Sequence, residues 1–310
     1  MRTIRDYQST ERRDRGASVA IGNFDGVHIG HRAVIELARE KAGGAPFGVL
    51  TFEPHPREFF APDAPPFRLM SAKARASRLE KLGVERLYEL PFDAALAALT
   101  PEQFAREVLV DGLGLSHVVV GADFCFGKGR AGRVADLQRF GEDMGFGVTV
   151  AELLGTAGGE ISSTAIRRAL SDGDPRAAKA QLGHWHRIEG EVVGGHQLGR
   201  TLGYPTANMS IDGLHPPRYG VYAVLVDVLT GPHKGSYHGV ASLGVRPMFG
   251  ENSANLETFL FDFSGDLYGA VLSVGLVEFL RPEMKFDGLE ALISQMDCDS
   301  AEARRILDAL

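Results

Sequence analysis

The chain has 310 residues, 44% hydrophobic, 24% charged and 8% aromatic, with 38 glycines and a net charge of −7. That length and apolar content suit two globular domains, and the acidic balance argues against a protein that holds nucleic acid by neutralising phosphates. No apolar run reaches the ~18 residues needed to cross a bilayer, the basic start MRTIRDYQSTERRDRG lacks the apolar stretch of a secretory signal, and two distant cysteines, Cys125 and Cys298, suit a reducing, cytoplasmic setting.

In chain order, short apolar runs alternate with helical patterns. Ser18–Phe24, Phe47–Phe52, His117–Gly121 and Val148–Leu153 read as buried strands. Between them, residues 31–42 place Val34, Leu37 and Ala38 on one helical face, and 72–82 and 101–110 also read as helices. Strand–helix alternation predicts a parallel sheet covered on both faces. Near 171–185 a short helix is expected, capped by Asp174, opened by Pro175 and stopped by Gly183.

Beyond residue 185 the grain changes. Residues 1–185 hold 24 Lys/Arg against 24 Asp/Glu, whereas 186–310 hold 9 against 16. Arg187–Val193, Gly220–Leu229, Ser236–Leu243, Leu256–Phe263 and Ala270–Phe279 read as consecutive strands, which predicts an antiparallel barrel or sandwich. A last helix is expected where Asp287 and Glu290 form a capping box and Leu289, Leu292, Ile293 and Met296 share a face.

Four strings carry chemistry. Gly22-Asn-Phe-Asp-Gly-Val-His-Ile-Gly-His31 follows a strand and opens a helix, where backbone amides attract phosphate. Gly22 and Gly26 let the backbone approach closely, and His28 and His31 can both face a triphosphate and donate to its oxygens. In Ile161-Ser-Ser-Thr-Ala-Ile-Arg-Arg168, Ser162 or Ser163 can cap a helix and Arg167 adds a cation. In Gly199-Arg-Thr-Leu-Gly-Tyr-Pro-Thr-Ala-Asn208, Thr206 and Asn208 fall on one strand face as hard oxygen ligands suited to Mg²⁺, or are two outward polar residues after a turn. In Leu256–Gly269, alternation puts Glu257, Phe259 and Phe261 on one face; Glu257 is a candidate general base or an edge-strand carboxylate. Gly127-Lys128 lacks the glycine and hydroxyl spacing of a phosphate-binding lysine loop, having Ala122 and Gly129 there.

The histidine string resembles the GxFDGxHxGH signature of nucleotidyltransferases, and GNFDGVHIGH is similar to that of bacterial bifunctional riboflavin kinase/FAD synthetases. LTFEPHP (50–56), VVVGADFCFGKGRAG (118–132), ISSTAIRRAL (161–170) and the 199–208 and 256–269 strings match in order. The resemblance implies a Rossmann-like nucleotidyltransferase domain with a parallel sheet over 1–185. It implies an antiparallel β-barrel riboflavin kinase domain with terminal helices over 186–310. ATP and flavins would be the ligands and Mg²⁺ the cofactor, with no nucleic-acid or membrane partner and room for a weak homo-oligomer.

On this resemblance Gly22, Phe24, Asp25, Gly26, Gly30, Ser163, Thr164, Gly199, Arg200 and Gly203 would bind nucleotide. His28, His31, Arg167 and Glu257 would be catalytic, with Glu257 taking the proton of the riboflavin 5′-hydroxyl, and Thr206 and Asn208 would hold the metal. Asp123 and Arg281 fall on the flavin side; Asp123 could instead cap a turn, and His55 either lines the flavin or fixes a turn. One departure is Met248, where the family usually has Thr; Ser242 stands where Asn is common.

Overall fold

The computed structural model describes residues 1–152, 155–156, 159–194, 203–245 and 254–310, with 155–156 and 159–160 by their backbone alone. Two compact units emerge, and neither is one continuous stretch. The first is Met1–Ala64 with Arg75–Ile161; the second is Pro65–Ala74 with Ser162–Leu310.

The first unit alternates strands and helices: β1 (Arg2–Ile4), β2 (Ser18–Ile21), α1 (Ile29–Lys41), β3 (Phe47–Glu53), α2 (Pro56–Phe60) and, across the division, α3 (Ala72–Lys81). It continues with β4 (Arg86–Pro91), α4 (Ala94–Ala98), α5 (Pro101–Gln103), β5 (His117–Gly121), β6 (Cys125–Phe126), β7 (Gly132–Arg133), α6 (Val134–Met144), β8 (Gly147–Ala151) and the short β9 (Gly155–Thr156) and β10 (Gly159–Glu160). Six strands form a parallel sheet in the order β1-β4-β3-β2-β5-β8. On one face Val19, Ile21, Leu50, Tyr88, Val118 and Val120 meet Leu96, Phe104, Val108, Leu137 and Phe140 in the main core. The alternate residues Ala20, Val49, Leu87 and Val119 are fully buried on the other face, and α1 packs against β2, β3 and β5. Strand order reverses between β3 and β5 around β2, so the carboxyl end of β2 lies at the topological switch point where such sheets bind ligands.

Several boundaries depart from the sequence pattern, each for a local reason. β2 stops at Ile21 rather than at Phe24, because Phe24 has φ 52° and cannot continue a ladder. α1 begins at Ile29, before residue 31, because His28 caps it. The helix expected over 101–110 is three residues of α-helix followed by a π-helix over Phe104–Gly112, closed by the Leu113 amide bonding to the Val108 carbonyl. β8 ends at Ala151, and Leu153 lies outside the described residues.

The second unit opens with α7 (Ser163–Asp172) and α8 (Pro175–Leu182). α8 is built as its sequence dictates: Asp174 accepts the Ala177 amide, Pro175 starts it, and Gly183 ends it with φ 74°. Leu69 from the 65–74 excursion packs with Ile166, Leu170, Ala178 and Leu182. Six antiparallel strands follow: β11 (Arg187–Glu191), β12 (Ala207–Ser210), β13 (Gly220–Val228), β14 (Gly235–Val245), β15 (Ala254–Leu260) and β16 (Val271–Arg281). Their order is β11-β16-β13-β14-β15-β12. An antiparallel bridge between Val193 and Asn208 joins the two ends, so the sheet is a nearly closed barrel rather than a sandwich. Ile188, Met209, Val224, Val226, Leu243, Leu256, Leu272 and Val274 fill its interior.

The chain ends in α9 (Leu289–Leu307), the terminal helix expected after the barrel strands. The Asp287–Glu290 capping box does not form: Gly288 occupies the cap position and no side chain caps the helix, because Asp287 lies one residue too early. Ala303 and Leu307 of α9 cover Phe261 and Val277 on the outside of the barrel. No helix among the described residues is long and apolar enough to cross a membrane.

Candidate functional site

In the first unit the loop from β2 to α1 is wound into an uncommon shape. Phe24, Gly26 and Val27 all have positive φ, at 52°, 86° and 43°. A β-branched residue there is a genuine outlier, costing on the order of 1–3 kcal/mol, and such strain persists only where surroundings over-determine it. Here the surroundings do: Phe24 and Val27 are buried, and the Val27 amide closes the turn onto the Phe24 carbonyl at 3.1 Å. Asp25, inside the turn, is 5% exposed.

The loop delivers His28 onto the helix start, where its Nδ1 accepts the His31 amide at 3.2 Å. The two imidazoles stack, with centroids 3.5 Å apart. Gly30 makes this possible, since a Cβ there would stand 3.2 Å from the His28 ring. Gly22 similarly leaves room for the Phe24 ring, which would lie 3.3 Å from a Cβ. Burial pushes the His28 pKa down to about 4, partly opposed by the nearby Asp123 carboxylate. Burial and the neighbouring His28 hold His31 well below the usual imidazole range. Both rings are therefore neutral at pH 7. Because His28 Nδ1 is an acceptor, its proton sits on Nε2, which makes that atom a donor. His31 Nδ1 is buried without a hydrogen-bond partner among the described residues. Asp123 is exposed in the turn after β5 and comes within electrostatic reach of His28, so the structure brings together the histidines and Asp123 that the sequence singled out.

Two features of this end of the sheet had no sequence signal. Arg75 is 3% exposed and ties three strand ends together. It donates to the Asn23 carbonyl at 3.4 Å, to Glu53 at 3.0 Å and to Glu89 at 3.1 Å. The other is aromatic: Phe52, Phe59, Phe60 and Phe92 meet edge to face, with Phe60 67% exposed. His55 caps α2: its Nδ1 accepts the Arg57 amide at 3.0 Å, while Glu58 accepts the His55 amide at 3.0 Å.

Ser163, Thr164 and Arg167 belong to the second unit, on α7. Ser162 is the cap, accepting the Ala165 amide at 3.2 Å, so Ser163 and Thr164 form the first helical turn. Arg167 donates from Nε to the Phe67 carbonyl at 2.5 Å and lies over the Phe67 ring.

The barrel carries the other cluster. Asn208 on β12 stands directly opposite Glu257 on β15, and Glu257 opposite Ser242 on β14. Residues opposite one another share a face, so the amide, carboxylate and hydroxyl form one row. Their alternates Met209, Leu256 and Leu243 point into the barrel core, which places this row on the outer face. Farther along that face, Phe259 and Val240 pack in the cluster covered by α9. Thr206 immediately precedes β12, and its carbonyl accepts Asn208 Nδ2 at 3.3 Å. Gly203 has φ 82° and leads to Tyr204, whose hydroxyl bonds Asp297 of α9 and whose ring lies 4.8 Å from Phe259.

Among the described residues no three His, Cys, Asp or Glu side chains form a metal cluster. A divalent cation here would take neutral oxygens from Thr206 and Asn208 and the rest from phosphates and water, a donor set that suits Mg²⁺. Arg281 is occupied: Nε and Nη2 bind Asp299 at 2.9 and 2.7 Å, and Nη1 the Pro282 carbonyl at 3.1 Å. It ties β16 to α9. Gly199, Arg200 and Met248 lie outside the described residues.

A family model described as FAD synthetase matches residues 10–165, and one described as riboflavin kinase matches 182–307. The chain is 42% identical over 309 residues to a bifunctional riboflavin kinase/FMN adenylyltransferase of Pseudomonas fluorescens, covering 99% of this chain and 98% of that one. It is 40% identical to the Escherichia coli K12 protein of the same name, covering 93% and 92%. Among solved structures it is similar to one described as a macrolide-efflux protein from Streptococcus pneumoniae, with 30% identity, a TM-score of 0.82 and coverage of 97% and 98%.

Proposed function

Because the chain belongs to the bifunctional riboflavin kinase/FMN adenylyltransferase family, we propose how its own residues divide two reactions. The protein phosphorylates riboflavin to FMN with ATP, then adenylylates FMN to FAD with release of pyrophosphate. Residues 186–310 are assigned the first step and 1–185 the second. Matching of the FAD synthetase model as far as residue 165, into the first turn of α7, supports counting Ser163 and Thr164 with the second step.

For phosphorylation, the single observation that carries most is the register placing Glu257 directly opposite Asn208. The carboxylate accepts the proton of the riboflavin 5′-hydroxyl as that oxygen attacks the γ-phosphorus of ATP and ADP leaves. Thr206 and Asn208 would hold Mg²⁺, whose contribution when bound is charge neutralisation on the phosphates. Gly199, Arg200 and Gly203 complete the nucleotide loop, and Arg281 holds the segment that meets the flavin.

For adenylylation, a phosphate oxygen of FMN attacks the α-phosphorus of ATP, and no protein nucleophile is needed. Gly22, Phe24, Asp25, Gly26 and Gly30 shape the loop so that His28 Nε2–H and His31 donate to phosphate oxygens as charge develops. Ser163, Thr164 and Arg167 add hydroxyls and a cation. Asp123 lies toward the flavin phosphate, His55 fixes the turn beside it, and exposed Phe60 offers a stacking face for the isoalloxazine. The protein is assigned to the cytoplasm, with ATP and flavins as its ligands and no nucleic-acid or membrane partner.

The test is incubation with riboflavin and Mg-ATP while FMN and FAD are followed separately. FMN should rise first and FAD after it. Asn208→Ala should abolish FMN formation and leave FAD formation from supplied FMN. Loss of both activities in a folded Asn208→Ala protein would overturn the two-site assignment.

A further inference from the structure

The face that carries Glu257 also carries Asn255, two residues earlier on β15 and 1% exposed. Asn255 Nδ2 donates to Asn208 Oδ1 at 2.9 Å. The orientation of both amides follows from one fixed acceptor. The Thr206 carbonyl can only accept, so it takes Asn208 Nδ2. That turns Asn208 Oδ1 toward Asn255 and obliges Asn255 to present its own nitrogen. Asn255 Oδ1 is then left buried, with no partner among the described residues. A buried amide oxygen without a donor is costly, and a cation that keeps its waters brings donors with it.

We propose that Asn255 is a positioning residue of the riboflavin kinase site. It fixes the Asn208 amide with the oxygen available to the cation, and its own Oδ1 accepts from a water that the cation carries in. Asn208 Oδ1 has two lone pairs, so the bond from Asn255 leaves one for the metal. The inference rests on the assignment of Thr206 and Asn208 to the cation.

The test uses Asn255→Leu, close to Asn in shape but without donor or acceptor, with Asn255→Ala as a second variant. Mn²⁺ binding in the presence of ADP is followed by electron paramagnetic resonance on the full chain, beside the Mg²⁺ dependence of FMN formation. Both Asn255 variants should bind Mn²⁺ about 10–100-fold more weakly, the usual loss for a residue behind a metal ligand. Combined with Asn208→Ala they should add nothing further, because the residue acts through Asn208. FAD formation from supplied FMN should be unchanged.

If Asn208→Ala itself leaves Mn²⁺ binding intact, the metal assignment falls. If Asn208→Ala weakens binding and the Asn255 variants do not, or if the two losses multiply, the positioning role falls alone. Loss of FAD formation in both Asn255 variants would make Asn255 a general folding residue and overturn the proposal.

Discussion

The two proposed sites rest on opposite constructions. In the first, a loop with three positive-φ residues folds two neutral imidazoles onto a helix start. In the second, none of Asn208, Ser242, Asn255 or Glu257 has left-handed backbone; ladder register alone aligns them. Backbone shape places the donors in one case, and side-chain identity on a regular strand does so in the other. The first site should therefore be sensitive to a single added carbon on its glycines, and the second to loss of particular polar atoms.

The sharpest way to break this contrast is crossed substitution. Glu257→Ala should lower FMN formation by about 10²–10⁴-fold and leave FAD formation from supplied FMN. His28→Ala should do the reverse, with a loss of order 10²–10³-fold. Separate assays of the half-reactions check both, and a folded variant that loses both would end the division.

Next in size is pH. His28 has a folded pKa of about 4 against the usual 6.5, so between those values the unfolded chain binds a proton that the folded chain refuses. The stability this contributes is complete above pH 6.5 and is lost as pH falls toward 4, a change of about 3 kcal/mol. Buried His186 in the second unit is pushed down to about 3 by burial and works in the same direction. Urea unfolding at pH 8 and pH 5 should show the loss, and His28→Gln should reduce it. An imidazole resonance of His28 titrating near pH 6.5 in the free protein would refute the burial argument.

Gly30→Ala tests the backbone half of the contrast. Its Cβ would press on the His28 ring at 3.2 Å, so the ring must give by a few tenths of an ångström, well short of the ~1 Å misplacement that costs about 10²-fold. FAD formation should fall by less than that order while FMN formation holds. The smallest expected effect is Gly26→Ala, where φ is 86° and a side chain costs about 1–2 kcal/mol. The midpoint of urea unfolding should drop accordingly.

Much of the molecule was legible in local pattern. Asp174, Pro175 and Gly183 set α8 because capping depends only on neighbours in sequence. Alternation placed Glu257, Phe259 and Phe261 on one face because a strand repeats every two residues. Glycine and histidine spacing marked the loop between β2 and α1. The same alternation puts Asn255 on the face of Glu257, one residue before the Leu256–Gly269 string.

What the sequence determined by itself was therefore the element types, the change from α/β to antiparallel β, and the candidate residues within short strings. The tertiary structure alone decided which partners those residues found. Arg75 meets Glu53 and Glu89 from separate elements, Asn255 meets Asn208 across 47 residues, and Val193 closes the barrel on Asn208. It also decided that the imidazoles are neutral and that Arg281 is tied to Asp299. The reason is physical: capping and periodicity act over a few residues, whereas burial and partner choice depend on segments brought together only by the completed fold.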